Sequence, residues 1–270
     1  MTDEIAAYNI ARWRALAQAD ALYTRPRLDL TPEIARQRLD PNGWFGDVRG
    51  RRVLCLASGG GYQSVAFALL GAEVTVFDLS AEQLQRDQEA AAHYGFALTT
   101  VQGDMRDLSS LSADAFDLVY HPYALNFVPD ASAVFRQVAR VIRRGGGYYL
   151  SCANPFLFGL STRDWNGTGY TLKHAYVDRA ELVNIDEAWV YDRAQHAPIQ
   201  GPREFRHKFS TLVAGLVNNG FLLQRVSDSD SIHPDPDAEP GTWDHLVSIA
   251  PPWLAFWSVY RPDVFARAAE

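Results

Sequence analysis

The chain has 270 residues, 47% of them hydrophobic, with seven tryptophans and a net charge of −7. That length and apolar content suit one α/β domain or two small ones and exclude a disordered chain, and the acidic balance argues against a phosphate-tracking nucleic-acid surface. Cys55 and Cys152 each sit inside an apolar strand-like run, against a disulfide framework, and neither a signal-peptide core nor an apolar run of membrane-span length is present, so a soluble, cytoplasmic protein is expected.

Residues 3–22 read as an amphipathic helix with Tyr8 and Trp13 among its apolar positions. A second short helix follows Thr31-Pro32, where Thr can cap and Pro can occupy the first helical position. Asp40–Arg51 is a connection punctuated by Gly, Asn and Pro. A regular alternation begins at Val53. Val53–Ala57 reads as a buried strand, Tyr62–Leu70 as a helix, Glu73–Phe77 as a strand, and Ser80–Tyr94 as a helix with Ser80 as cap and Gln83 at the third position. Strands at Ala97–Val101 and Phe116–Tyr120, a helix at Ala131–Arg143 ended by three glycines, and a strand at Tyr148–Cys152 complete it. Strand and helix at this rhythm imply right-handed crossovers and a parallel sheet covered on both faces.

The rhythm breaks after Cys152. Asn154–Gln200 is rich in aromatics and turn residues, with weak strand candidates near Val183–Val190. Phe205–Asn218 reads as a helix closed by Gly220, and Phe221–Val226 and Leu254–Tyr260 as strands. The acidic, proline-punctuated segment Ser227–Gly241 contains His233, Asp235, Asp237 and Glu239 without metal-ligand spacing, so a surface loop and no metal is expected.

The stretch "VLCLASGGGYQSVAF" joins the first strand to the first crossover helix through Gly59, Gly60 and Gly61. In an open α/β sheet a ligand sits beyond the carboxyl ends of the strands, which makes this loop the leading candidate site. The dinucleotide fingerprint fails because its third glycine position is Ser64, and the P-loop fails because no Gly-Lys-Ser/Thr follows. Neither Lys173 nor Lys208 has a Tyr four residues before it, which removes the short-chain reductase pair. Asp78, near the end of "VTVFDLS", can accept hydrogen bonds from vicinal ribose hydroxyls, or merely serve as a helix N-cap before Ser80. In "VQGDMRDL", Asp104 can accept from an adenine amino group while Met105 packs on the ring.

With these residues in place the sequence resembles the class I S-adenosylmethionine-dependent methyltransferases, in their small-molecule branch. The resemblance spans roughly Gly50 to Asn154 and rests on the glycine loop, "VTVFDLS", "GDM", "FDLVYHPYALNFVPD" and "VARVIRRGGGYYLS" in the family's order. It implies a Rossmann-like doubly wound seven-stranded sheet with its last strand antiparallel and helices on both faces. It also implies S-adenosylmethionine as cofactor and in-line methyl transfer to an O, N or S atom of a small-molecule acceptor. One methyltransferase domain over 1–270 is expected: a helical cap (1–45), a cofactor-binding half (46–153), an acceptor lid (154–200), and a late helix with the last two strands (201–270). The cofactor residues so implied are Ala57, Ser58, Gly59, Gly60, Gly61, Asp78, Leu79, Gly103, Asp104 and Met105, with Tyr8 and Trp13 folding over the site. The chain departs from the family where Cys55 replaces an acid and Ala57 a glycine, which leaves Gln63 to supply a contact to the methionine amino group.

The chemistry has a weaker signature, since an activated methyl donor asks the protein mainly to position, dry and deprotonate. His121, after the fourth strand, is the leading candidate for a base or an acceptor-orienting group, its alternative being a cofactor contact with the ring merely packed. His207, beside Arg206 at the start of the late helix, is a second candidate, against a plain solvated helix start. Trp165, Tyr170, Tyr176, Trp189 and Tyr191 suit an aromatic acceptor pocket, a small core of their own, or a dimer contact. No nucleic acid or membrane partner is expected, and the chain acts as a monomer or homodimer. A cofactor-binding regulatory protein without catalysis, and an RNA methyltransferase, are the rival readings.

Overall fold

The computed structural model describes residues 3–182, 199–228 and 233–266. Asp3 caps the first helix, α1 (Glu4–Gln18), by accepting the Ala6 amide, and Thr31 caps α2 (Pro32–Leu39). The expected helix over 3–22 therefore ends four residues early, and the chain turns through a short 3-10 segment at Leu22–Thr24. Asp40 orders the connection that follows, its two carboxylate oxygens accepting the amides of Trp44 and Phe45.

The alternation then unfolds as β1 (Arg52–Leu56), α3 (Gln63–Leu69), β2 (Glu73–Asp78), α4 (Ala81–Tyr94), β3 (Thr99–Gln102), β4 (Phe116–His121), α5 (Ala131–Val141) and β5 (Ile142–Ala153). Two short strands, β6 (Glu181–Leu182) and β7 (Glu204–Phe205), pair with each other before α6 (Phe209–Asn218), β8 (Phe221–Ser227), α7 (Trp243–Ile249), β9 (Trp253–Tyr260) and α8 (Pro262–Ala266). The main sheet has seven strands in the order β3-β2-β1-β4-β5-β9-β8, with β9 antiparallel to both neighbours. The doubly wound sheet with an antiparallel last strand is thus the observed fold.

Period-two alternation divides β1 between two cores. Leu54 and Leu56 join Phe135, Val138, Leu212 and Leu216 under α5 and α6. Val53 and Cys55 face the other way, with Phe67, Leu84 and Ala90 of α3 and α4. On that second face Phe45 contacts the rings of Phe67, Tyr120, Tyr149 and Trp257.

Two expected boundaries moved. Gly145–Gly147 lie inside β5 instead of ending a helix, because a Cβ on Gly147 would stand 2.0 Å from the Trp257 ring that crosses it. The late helix begins at Phe209, since Glu204 and Phe205 are drawn into pairing with Leu182 and Glu181. α7 lies between the expected loop Ser227–Gly241 and the last strand, where no element was expected, and is started by Thr242, whose hydroxyl accepts the His245 amide. The strand expected at Val183–Val190, with Trp189 and Tyr191, lies outside the described residues.

Candidate active site

Strand order reverses between β1 and β4, and a cavity of about 1830 Å³ opens beyond the carboxyl ends of the strands there. That is where an open α/β sheet offers a ligand site. At one end it is lined by Ala57, Ser58, Gly59, Gly60, Gln63, Asp78, Leu79, Gly103, Asp104 and Met105. Trp13 of α1 joins them, its ring edge-on to Phe127 at 5.5 Å, whereas Tyr8 does not reach the cavity and lies under Arg12.

The glycine loop is held from behind by two carboxylates. Asp78 accepts the Gly59 amide at 2.9 Å on one oxygen and the Ser80 amide at 2.8 Å on the other. The cap of α4 is Ser80 and not Asp78, which instead accepts the amide of the cap residue and faces the cavity. A carboxylate offers about four acceptor positions, so two stay available for hydroxyls. Burial raises its pKa, against the amides that favour the ionised form. The second carboxylate, Asp87, is fully buried on α4 and accepts the Gly60 and Gly61 amides at 3.0 Å each, as well as the Ser64 hydroxyl. It was not a candidate from sequence.

The glycines serve this helix contact as much as any ligand. Gly61 lies behind the cavity wall at φ +74°, where a Cβ would come 2.6 Å from the Arg86 carbonyl and 2.9 Å from Ala90. A Cβ on Gly59 would stand 2.8 Å from Gln83 Cβ. A strap, Leu22–Asp29, completes this end of the cavity, tied down where the Arg27 amide donates to the Gly61 carbonyl at 3.1 Å.

Past β3, Asp104 is gripped by Arg106, whose amide and guanidinium donate to it and whose Nη1 reaches Asp3 at 2.6 Å. The clamp joins the α1 cap to the third-strand loop. It also occupies the acceptor positions that an adenine amino group would use.

The other end of the cavity is lined by Tyr123, Phe127, Phe158, Leu157, Leu182, Trp243 and Trp253. Two buried carboxyls line the cavity outside the glycine-loop end: Asp164, paired with Lys173, and Glu204. Glu204 is buried, its Oε2 3.5 Å from the Tyr123 hydroxyl, and burial pushes its pKa up to about 7. Its segment is stitched in place. The Arg203 amide donates to Asn9 Oδ1 at 2.8 Å, Asn126 Nδ2 donates to the Phe205 carbonyl at 3.0 Å, and the His207 ring lies 3.0 Å from the Leu125 carbonyl.

The structure brings neither candidate histidine to the cavity. His121 is fully buried with Nδ1 3.0 Å from the Tyr148 hydroxyl, and burial lowers its pKa to about 3. β4 ends on His121, so pleat alternation sends its ring into the interior while the following Pro122 and Tyr123 line the cavity. His207 is likewise buried, as part of the Glu204 support, with its pKa lowered by desolvation. Arg206 is buried too, donating to the carbonyls of Phe158 and Ala175. Trp165 and Tyr170 pack on each other and on His245, and Tyr176 stacks on Phe156; none of the three lines the cavity.

Comparison with known proteins agrees with this geometry. The family profile described as "Methyltransferase domain" matches residues 54–150. An uncharacterized methyltransferase of Bacillus subtilis, YbaJ, is 33% identical over 68% of this chain and 70% of its own length. The chain belongs to the class I S-adenosylmethionine-dependent methyltransferases. A ubiquinone biosynthesis O-methyltransferase of Xanthomonas oryzae is 37% identical over 43% of the chain, which spans about half (49%) of that relative. The fold is shared with an S-adenosylmethionine-dependent methyltransferase of Mesorhizobium loti, with a TM-score of 0.63, 24% identity, and coverage of 86% of this chain and all (100%) of that one.

The methyltransferase cavity fits its cofactor chemically. Asp78 has acceptor positions to spare for ribose hydroxyls, and among the described residues Gln83 Oε1 is buried without a partner at the edge of the loop. Met105 offers a mostly buried thioether beside Asp104 for a flat ring.

Proposed function

We propose that this methyltransferase acts on a small-molecule acceptor, methylated at O, N or S and held between Tyr123, Phe158, Trp253 and Glu204. The observation that carries the reading is the single cavity running from the glycine loop and Asp78 to Glu204. Its volume exceeds the roughly 300–1,000 Å³ of an ordinary small-molecule site, which suits two ligands side by side. S-adenosylmethionine supplies a methyl group already activated on a sulfonium. Asp78, Gln63 and Met105 bind and orient at one end, and the apolar wall at the other excludes water. Glu204 takes the place first given to His121: a carboxyl poised near neutrality can receive the proton that an acceptor O–H or N–H must lose.

Isothermal titration with S-adenosylmethionine and S-adenosylhomocysteine tests the cofactor end. Asp78→Ala is expected to weaken both about tenfold or more, and undiminished binding would sink the assignment. For the acceptor end, labelled methyl should pass from S-adenosylmethionine into members of a panel of phenols, amines and thiols. Transfer into RNA and into no small molecule would overturn the reading.

A further inference from the structure

α4 presents an acid where an amphipathic helix should present an apolar side chain. Leu84, Asp87 and Ala91 fall on one buried stripe, and Asp87 among them is completely inaccessible to solvent. Among the described residues no cation pairs with it: the neighbouring Arg86 turns to Asp20 at 3.1 Å and to the Ala17 carbonyl at 2.9 Å. The titratable groups facing Asp87 are Asp78 from β2 and Cys55 from β1, and both disfavour its charge or are disfavoured by it. Among the described residues its favourable partners are donors of the cofactor loop and of the helix start behind it: the Gly60 and Gly61 amides and the Ser64 hydroxyl. A buried acid in such surroundings costs stability, so the fold retains it at a cost for which core packing gives no return.

We propose that Asp87 is the positioning residue of the cofactor loop, its ionised carboxylate fixing the Gly60 and Gly61 amides and the Ser64 hydroxyl so that cofactor affinity rises as this carboxyl loses its proton. The inference rests on the reading that the glycine loop is the cofactor site. The ionised group accepts three hydrogen bonds; protonation turns one acceptor position into a donor, which the Ser64 hydroxyl can reverse to accept, and weakens the hold on the two amides. Burial, and after it the nearby Asp78 charge, place that proton loss at about pH 7. The carboxylate acts through backbone amides and touches no reacting atom.

Isothermal titration of the full chain with S-adenosylmethionine and S-adenosylhomocysteine tests this at about pH 6 and about pH 8. Wild-type affinity should rise about tenfold across that range, as expected for one linked proton, and in parallel for the two ligands. S-adenosylhomocysteine lacks the sulfonium charge, so a rise seen with S-adenosylmethionine alone would mean a through-space charge effect and would overturn loop positioning. Asp87→Asn should bind both ligands about tenfold more weakly at the higher pH and lose the dependence between the two. A merely structural carboxyl would lower the melting temperature of that variant and leave the pH dependence in place, and that result overturns the proposal. If Asp87→Asn does not fold, Ser64→Ala decides: removing a donor to the carboxylate should move the midpoint of the affinity profile to higher pH, and an unmoved midpoint sinks the idea. Asp78→Ala separates the two readings. If it binds like wild type, the cofactor site itself is misplaced; if it weakens binding while Asp87→Asn does not, only the present inference fails.

Discussion

The Tyr148 hydroxyl lies 3.0 Å from Nδ1 of His121, and both side chains are completely buried between β4, β5 and the helices over them. This pair is part of the core. His121→Ala should leave affinity for S-adenosylhomocysteine unchanged while lowering stability by about 2–4 kcal/mol, through the cavity left and the phenol orphaned. The acid limb should change as well. Burial holds the folded imidazole neutral down to about pH 3, whereas the unfolded one protonates near its ordinary 6.5. Stability from this group is therefore present above pH 6.5 and lost as pH falls towards 3. His121→Leu should flatten that part of a melting-temperature profile. Weakened cofactor binding at unchanged stability would instead return His121 to the active site.

Glu204 has the opposite sign. Its folded carboxyl keeps a proton up to about pH 7, and the unfolded one releases it near 4.5. Stability is full below pH 4.5 and is lost as pH rises to 7, by an amount on the order of 3 kcal/mol. Glu204→Gln removes the buried charge at little change in shape, so it should raise the melting temperature at pH 8 and leave it unchanged at pH 4. Cofactor affinity should not move, because the cofactor end of the cavity is built from other residues. Once an acceptor is in hand, this variant should lose turnover and the rise of kcat/KM through neutrality. Equal turnover of wild type and Glu204→Gln would remove the proton-accepting role.

The carboxyls of Asp87 and Glu204 mark the limit of what the chain alone discloses. The sheet was legible because continuous apolar runs such as "VLCL" mark strands buried on both faces, and Ser80, Thr31 and Pro32 announce helix starts. The places of the loop, Asp78 and Asp104 around the cavity were legible because each lies at or just past a strand end, but the Arg106 clamp that takes up the Asp104 acceptor positions was not. Asp87 has a weaker signal: an acid on the apolar stripe of α4, between Leu84 and Ala91. Glu204 left no local mark at all. Its burial depends on pairing with Leu182, twenty-odd residues away, and on Asn9 and Asn126 from two other elements. The histidines misled for a related reason. A side chain after a strand can face the cavity or the core, and pleat register, which decides between them, shifts with one residue.

Register and close approach also make opposite predictions for Ala57 and Gly61, two residues of one loop. Ala57 sits at φ +48°, a left-handed conformation that costs a side chain about 1–2 kcal/mol, while glycine gives back about 0.5–1 through its looser unfolded chain. Ala57→Gly should therefore be neutral to slightly stabilising, by at most about 1 kcal/mol, with unchanged cofactor affinity. Gly61 lies at φ +74° with Arg86, Ala90 and Pro26 all within 2.9 Å of where a Cβ would be built. Gly61→Ala should cost about 2–5 kcal/mol, because backbone strain adds to the overpacking of α4 and the strap. It should also weaken S-adenosylhomocysteine binding, since pushing α4 away pulls Asp87 off the Gly60 and Gly61 amides. Urea unfolding of the two variants checks both signs. Equal melting behaviour of Gly61→Ala and wild type would mean that the third glycine answers to the ligand and not to the helix behind it.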